Sequence, residues 1–226
     1  MEKKCVGIVL FENIEVLDFC GPFEVFSTTR LDEEKRREEP SPFEVLLIAE
    51  KKETVVTTGG MRVIPDHTFE SCPKIDILVV PGGWGTRKEL KNPAMLNWLR
   101  LRAAEVETLT SVCTGSMLLG FAGLLDGHHA TTHWRALDWM RASFPSVSVE
   151  YDKHVVEDGR ILTSAGISAG IDMALTLVAE EFGADAAQLT QLLIEYDPQP
   201  PFDAGSPDKA PSAIVDAARK EFSKLV

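Results

Sequence analysis

Short apolar runs alternate along the chain with longer segments in which apolar residues recur at helical spacing. The runs are rich in Val, Ile and Leu and lie at residues 5–11, 43–49, 75–80 and 108–112. Uninterrupted runs of this length are typical of strands that are buried on both faces, as in a parallel sheet. The longer segments predict the main helices, at residues 93–104, 171–182, 184–195 and 213–225. The alternation predicts an α/β protein with an open, mostly parallel sheet and helices on both faces.

Shorter segments and turn signals predict the remaining elements. A Gly-Gly pair between residues 54–57 and 61–64 predicts a small hairpin, and residues 66–68 are interpreted as a polar loop. A helix is expected over residues 130–142, with Thr132 as its N-cap. Three short strands follow, at residues 147–151, 154–156 and 161–164. The proline-rich arm at residues 197–211 is too rich in Pro and Gly for regular structure, and the chain length favours one domain over residues 1–226.

Cys113 stands between the strand that ends at residue 112 and an apolar helix predicted to start at Thr114. The pattern Ser111-x-Cys113-x-Gly115 places small residues two positions before and after the cysteine, as the sharp turn of a nucleophile elbow requires. The unpaired amides and the positive dipole end of the helix would face the thiol, so we expect them to lower its pKa. A buried structural cysteine is an equally good interpretation of this pattern.

Two other segments follow strands that are expected to end on the same edge of the sheet. Pro22 is typical of the first turn of a helix. Asp18 comes soon after the first strand, either in the loop before this helix or in its first turn. Gly82 and Gly83 follow the 75–80 strand directly, where bare backbone can approach a ligand and supply oxyanion-type donors. Ligands of open α/β sheets bind beyond the carboxyl ends of the strands, so these segments and Cys113 predict one site. The alternatives are a helix cap for Asp18 and a plain tight turn for the glycines.

Two further ionisable residues favour structural roles. His133 begins the helix expected over residues 130–142, where capping the turn is favoured over facing the site. Asp172 lies in the first turn of a helix, where the dipole stabilises an anion.

Composition and charge narrow the class of function. The net charge of −12 argues against a basic surface for nucleic acid or for an anionic membrane, and weakly favours a neutral or cationic small substrate. The four cysteines at positions 5, 20, 72 and 113 form no Cys-x-x-Cys metal pattern, so reduced thiols in a cytoplasm are expected. The first strand follows the amino terminus too directly for a signal peptide or a membrane span. The sequence predicts a cytoplasmic protein that acts on a small molecule.

With these residues in view, the chain resembles the ThiJ/PfpI superfamily, whose flavodoxin-like sandwich and cysteine elbow are related to the class I glutamine amidotransferases. The resemblance covers nearly the whole chain. The segments that carry it are Leu17-Asp-Phe-Cys-Gly-Pro22, Val80-Pro-Gly-Gly83, Ser111-Val-Cys-Thr-Gly-Ser116, Ala130-Thr-Thr-His-Trp134 and Gly166-Ile-Ser-Ala-Gly-Ile-Asp172. Within the superfamily, Cys-Thr-Gly together with Asp18 and the carboxy-terminal arm is most similar to the isonitrile hydratases.

One residue departs from the wider superfamily. Its proteases and amidotransferases have a histidine directly after the cysteine, whereas this chain has Thr114. Without an adjacent imidazole, activation of the thiol and protonation of a leaving amine are disfavoured. Hydration of an isonitrile has no amine leaving group, so a cysteine and one carboxyl group could suffice.

The resemblance implies isonitrile hydration through a covalent thioimidate and no metal or organic cofactor. Cys113 would attack the terminal carbon, Asp18 would transfer the proton, and the hydroxyl of Thr114 would position water or the acid. The expected substrate-binding residues are the backbone at Gly82, Gly83, Cys113 and Thr114 and the side chains of Ile14, Trp84 and Trp134.

Alternative functions come from the same superfamily. One is glyoxalase- or deglycase-type chemistry on α-oxoaldehydes, and another is a non-enzymatic sensor in which Cys113 is oxidised. Related transcription regulators append a DNA-binding helical domain, which is not expected here because the sequence ends at Val226 and is acidic. The superfamily commonly dimerises, so a homodimer is expected.

Overall fold

The computed structural model describes residues 3–223 of the chain. Its main strands are β1 (Lys4–Leu10), β2 (Phe43–Ala49), β3 (Val55–Val56), β4 (Arg62–Val63), β5 (His67–Thr68), β6 (Ile77–Val80), β7 (Thr108–Val112), β8 (His129–Ala130), β9 (Ser148–Val149), β10 (Val155–Asp158) and β11 (Ile161–Ser164). Seven of them form the central sheet, in the order β10-β11-β7-β6-β1-β2-β5. The strands β3 and β4 form the predicted hairpin, and β8 pairs with β9 in a separate two-stranded ladder.

Every neighbouring pair in the central sheet is parallel except β10 and β11 at one edge. The apolar runs explain this arrangement, because strands covered on both faces need apolar side chains in both directions. In β1, for example, Val6, Ile8 and Val9 are all fully buried. The predicted open, mostly parallel α/β sheet is confirmed.

The helices form two layers on the sheet. They are α1 (Val16–Thr28), α2 (Thr86–Glu89), α3 (Pro93–Ala103), α4 (Gly115–Phe121), α5 (Leu137–Ser143), α6 (Ala169–Phe182), α7 (Ala184–Leu193) and α8 (Ser212–Ser223). Helices α1, α6 and α7 pack together in one layer, and α4 packs against α2 and α3 in the other. Residues 197–211 contain no helix or strand, and the last two residues of the predicted 213–225 helix lie outside the described chain. None of the described helices is long and apolar enough to cross a bilayer.

Three local predictions are wrong. Helix α1 begins at Val16 rather than near Pro22, so Pro22 lies inside the helix. Asp18 lies in the first turn of α1, which is one of its two predicted positions. Residues 67–68 are not a loop, because β5 adds to the edge of the sheet beside β2. The helix expected over residues 130–142 is a 3₁₀ turn (Trp134–Ala136) followed by α5, and the N-cap of that turn is His133 instead of Thr132.

The order of the strands creates a crevice between β1 and β6. The chain leaves β1 towards β2 and β5 and then returns to the opposite side of β1 as β6. Loops that follow two such strands diverge, and they leave room for a ligand beyond the carboxyl ends. The loop after β1 leads to Asp18, the loop after β6 contains Gly82 and Gly83, and the turn after the next strand, β7, contains Cys113.

Candidate active site

Cys113 occupies a strained turn between β7 and α4. Its φ of 56° lies in the left-handed region that a side chain rarely adopts. Its amide donates to the carbonyl oxygens of Ser164 and Ala165, at 3.1 and 2.9 Å. Its carbonyl accepts from the hydroxyl groups of Ser116 and Thr132, each at 3.0 Å. These bonds stabilise the strained turn. Because the Cys113 amide already donates to two carbonyl groups, the expectation that it binds the substrate is wrong.

The small residue two positions after the cysteine is required by the packing of the turn. A Cβ atom placed on Gly115 would overlap the carbonyl oxygen of Val80, at the end of β6. Backbone cannot give way as a flexible side chain can, so any larger residue would move α4 away from the sheet. This explains the spacing from which the elbow was predicted.

Asp18 lies behind the thiol and has no exposed surface. Its Oδ2 accepts the amide of Gly82 at 2.8 Å. Its Oδ1 is buried and accepts no N–H or O–H donor from the described residues. The Cys113 thiol lies within hydrogen-bonding reach of the carboxyl group. Asp18 therefore does not cap α1, and it pairs with the cysteine across 95 residues of sequence.

Burial raises the pKa of Asp18 to about 8, and the negative charge of Glu15 acts in the same direction. The amide of Gly82 and the thiol of Cys113 oppose this shift of the pKa by stabilising the carboxylate. Burial is the larger effect, because a carboxylate without water loses its solvation. At neutral pH the carboxyl group is protonated, and its proton belongs on Oδ1, since Oδ2 already accepts a hydrogen bond.

Burial also raises the pKa of the Cys113 thiol well above its ordinary value, and a charge on Asp18 would raise it further. The amides of Thr114 and Ile167 and the hydroxyl of Thr114 stabilise the thiolate, but less than burial destabilises it. The expected lowering of the pKa by the helix is therefore wrong. The side chain is only 6% exposed, so it is the neutral thiol that rests beside the neutral carboxyl group.

Thr114 connects the cysteine turn to the loop after β6. Its Oγ1 accepts the amide of Gly83 at 3.1 Å and lies 3.0 Å from the hydroxyl of Thr86. The hydroxyl also interacts with the sulfur of Cys113. The threonine therefore fixes the position of the sulfur relative to the loop after β6 that contains Gly82 and Gly83, here called the glycine loop.

A cavity of about 60 Å³ opens beside the thiol. It is lined by Glu15, Gly83, Trp84, Arg87, Cys113, Thr114, His133, Arg135 and Ile167. Among the predicted site residues, Cys113, Thr114, Gly83 and Trp84 line it together, and Trp84 is 41% exposed at its wall.

The other predicted site residues lie outside this wall. Asp18 reaches the cavity only through its contact with the thiol, and Gly82 is buried where it donates to Asp18. Ile14 is fully buried, and its backbone pairs with Gly83 in an isolated bridge. Trp134 is half-buried and does not line the cavity.

His133 has the capping role that the sequence favoured, and it also faces the cavity. Its Nδ1 accepts the amide of Arg135 at 3.3 Å, which caps the 3₁₀ turn, and the same side chain lines the cavity. Burial lowers its pKa to about 4, and the positive charge of Arg135 contributes to that lowering. The imidazole is neutral at physiological pH and is too weak a base to deprotonate the thiol.

Four lining residues were missed by sequence reasoning: Glu15, Arg87, Arg135 and Ile167. The two arginines lie close to motifs that were recognised: Arg87 comes four residues after Gly83, and Arg135 directly follows the Thr-His-Trp segment. Proximity to those motifs was the available signal for them. Ile167 adopts a φ of 40°, which is atypical of a β-branched residue. The sequence therefore contained no signal that its amide would point towards Cys113. No cluster of three or more metal-ligating side chains occurs among the described residues.

Comparisons with known proteins agree with this architecture. The chain is 43% identical over 216 residues to the isonitrile hydratase of Pseudomonas putida, an alignment that covers 95% of this chain and 88% of that enzyme. The structure of a ThiJ/PfpI family protein from Pseudomonas syringae superimposes with a TM-score of 0.89 and 31% identity, over 100% of this chain and 88% of the other. The transcriptional regulator CdhR of Pseudomonas aeruginosa is 39% identical over 133 residues, which are 59% of this chain and 39% of the regulator.

A family profile covers most of the sheet and its helices. The profile of the DJ-1/PfpI family matches residues 4–180, from the start of β1 into the last turns of α6. The match includes Asp18, the glycine loop and the cysteine turn. The chain belongs to the DJ-1/PfpI family.

Proposed function

We propose that this protein is an isonitrile hydratase, a hydro-lyase that converts an isonitrile into an N-substituted formamide. One structural observation carries the proposal: the buried carboxyl group of Asp18 lies within hydrogen-bonding reach of the buried Cys113 thiol, at the wall of a small cavity. The similarity to the isonitrile hydratase of Pseudomonas putida supports the choice of reaction.

The first step joins the thiol and the isonitrile without a net change of charge. The sulfur of Cys113 bonds to the terminal carbon of R–N≡C while Asp18 donates its proton to the same carbon. The carboxylate that remains takes the thiol proton, so the product is the neutral thioimidate R–N=CH–S–Cys113. A neutral thiol beside a neutral acid is the resting state this addition needs, and a thiolate beside a carboxylate would lack the proton.

The second step consumes water. Asp18, protonated again, donates to the imine nitrogen, and a water molecule that loses a proton to Asp18 adds to the carbon. The tetrahedral adduct R–NH–CH(OH)–S–Cys113 then collapses to R–NH–CHO and the free thiol. The hydroxyl of Thr114, which contacts both the sulfur and the amide of Gly83, is placed to orient this water.

The same geometry disfavours hydrolysis of peptides or glutamine. Such reactions need a base that activates the cysteine and an acid that protonates a departing amine. The imidazole that lines the cavity, His133, has a pKa lowered to about 4 by burial and by Arg135. It is therefore a poor base and is not charged when a leaving amine needs a proton.

The direct test is formamide production by purified protein. We expect the wild type to convert an alkyl or cyclohexyl isonitrile into the corresponding formamide, detected by NMR. Cys113→Ala should abolish turnover while it keeps the wild-type circular dichroism spectrum. Cys72→Ala is the matched control, because Cys72 is buried but does not line the cavity. Full activity of the Cys113→Ala variant would refute covalent catalysis.

Two assays run alongside separate the alternatives. Turnover of methylglyoxal with no turnover of isonitriles would replace the proposal with chemistry on α-oxoaldehydes. Background rates on both compounds, together with a mass gain at Cys113 at low peroxide concentration, would favour an oxidation sensor. Because peroxide reacts with the thiolate, the burial and raised pKa of Cys113 lead us to expect slow oxidation.

A further inference from the structure

Two arginines contribute to the wall of the cavity beside the nucleophile. Arg87 comes from α2, directly after the glycine loop, and Arg135 comes from the 3₁₀ turn after His133. Burial lowers the pKa of Arg87, and the positive charge of Arg135 lowers it further. The two guanidinium groups are therefore near enough to repel each other. An anion bound beside the thiol would be attracted by both of these positive charges.

The charges that line the cavity leave an excess of one positive charge at neutral pH. Asp18, Cys113 and His133 are neutral there, because burial raises the pKa of the first two and lowers that of the third. Glu15 contributes one negative charge, and the two arginines contribute two positive charges. The whole chain carries a net charge of −12, so the sign of the cavity is opposite to that of the protein. A positively charged cavity in a negatively charged protein indicates that the positive charge has a function.

Aromatic rings hold both guanidinium groups in place. The Arg87 guanidinium lies 4.6 Å from the centroid of the Trp84 ring, and that of Arg135 lies 5.9 Å from the Trp134 ring. Both arginines also take part in further interactions within the chain. A guanidinium group carries five N–H donors, and a ring packed against it reduces the entropy lost when the group binds a ligand in addition to its partners within the chain. The pair is therefore organised before any ligand arrives.

We infer that the substrate is an isonitrile whose substituent carries a carboxylate, which Arg87 and Arg135 bind while the isonitrile carbon meets Cys113. The inference rests on the proposed function and specifies its substrate class. A carboxylate, with one negative charge and a planar pair of oxygens, matches a single excess positive charge and the fork of a guanidinium group. The cavity of about 60 Å³ favours a short link between the carboxylate and the isonitrile. A phosphate dianion would exceed the available positive charge.

The test compares two substrates of equal size that differ in charge. These are 3-isocyanopropanoate and the neutral 3-isocyanopropanamide, and kcat/KM is measured for each with wild type, Arg87→Gln and Arg135→Gln. We expect wild type to prefer the carboxylate. Each glutamine variant should lower kcat/KM for the carboxylate at least about tenfold more than for the amide, because it removes a charge-assisted hydrogen bond. Lys88→Gln removes an adjacent positive charge that does not line the cavity, so it should leave the preference unchanged.

The outcomes distinguish the inference from the proposed function. If wild type hydrates both compounds equally, or if both substrates lose activity in parallel in the arginine variants, the carboxylate site is refuted and the hydratase proposal stands. If neither compound is hydrated, calorimetry with 3-formamidopropanoate and its amide tests the site without catalysis. Binding of the carboxylate alone, weakened in both arginine variants, then supports the anion site, and equal binding of the two compounds overturns it.

Discussion

Replacement of Asp18 by asparagine tests the contact on which the proposed chemistry depends. Asparagine has the shape of aspartic acid and can still accept the amide of Gly82, which donates to Oδ2 at 2.8 Å. It cannot give a proton to the isonitrile carbon. Positioned general acids contribute about 10² to 10⁴ to the rate, so we expect kcat of Asp18→Asn to fall by about that factor. A residue that only capped a helix would instead affect stability, by about 1 kcal/mol.

The pH dependence of the wild type gives an independent measure of the same group. Since burial raises the pKa of Asp18 to about 8, about 90% of the acid is protonated at pH 7 and about 10% at pH 9. We expect kcat to fall about tenfold between these pH values, and we expect no such fall in the residual activity of Asp18→Asn. Formamide production from one isonitrile, followed from pH 6 to pH 9.5, supplies both profiles. Asp138→Asn, at a carboxyl group 82% exposed, is the matched control and should keep the wild-type profile.

The third measurement is the pH dependence of the free energy of unfolding. Because the pKa of Asp18 is raised in the folded state, this free energy should decrease as the pH rises. The folded state keeps the Asp18 proton up to about pH 8, whereas the unfolded chain loses it near the ordinary aspartate pKa of 3.8. The contribution of Asp18 is therefore fully present below about pH 4 and is lost as the pH rises towards 8. Urea unfolding of wild type should show this loss relative to Asp18→Asn. A kcat within threefold of wild type for Asp18→Asn, or a wild-type rate that rises from pH 7 to pH 9, would refute the assigned role.

Three further predictions concern the turn and its surroundings. Thr114→Val removes the hydroxyl that accepts the Gly83 amide, so kcat should fall about tenfold or more, while Thr114→Ser should recover most of the rate in the same assay. Gly115→Ala brings a Cβ atom into the carbonyl oxygen of Val80, so it should destabilise the fold by about 2–4 kcal/mol in urea unfolding. His133, with a pKa lowered to about 4 by burial, contributes stability above about pH 6.5 that is lost as the pH falls to 4, and His133→Asn should lack this loss in urea titrations compared with wild type.

The sequence predicted the sheet well because burial on both faces leaves an unmistakable pattern. The runs at 43–49 and 108–112 coincide with β2 and β7. Two-residue strands such as β5 and β8 leave no such pattern, because their pairing depends on neighbours distant in sequence. The start of α1 was missed because Pro22 is typical of a first turn, and here the helix accommodates it in its interior.

The sequence predicted which residues meet at the candidate site better than it predicted their charges and pKa values. Cys113, Asp18 and Thr114 do meet, since parallel strands bring their carboxyl ends to one edge. The direction of the thiol pKa was mistaken, because the sequence reveals the helix beside Cys113 but not the depth at which the sulfur is buried. The charged wall at Arg87 and Arg135 was missed for the same reason: the positions that line a cavity depend on packing. The homodimer stays a prediction, which sedimentation velocity can test.

The loop after β6 and the start of α2 contribute to the site in two ways, through the main chain and through side chains. The first part acts through the main chain, with Gly82 bound to the acid and Gly83 bound to Thr114. The later part acts through side chains, with Trp84 and Arg87 at the cavity wall. Substitutions in the later part can therefore alter which compounds enter without displacing the atoms that react. Libraries that vary only these two positions are therefore a direct way to alter the selectivity of the site.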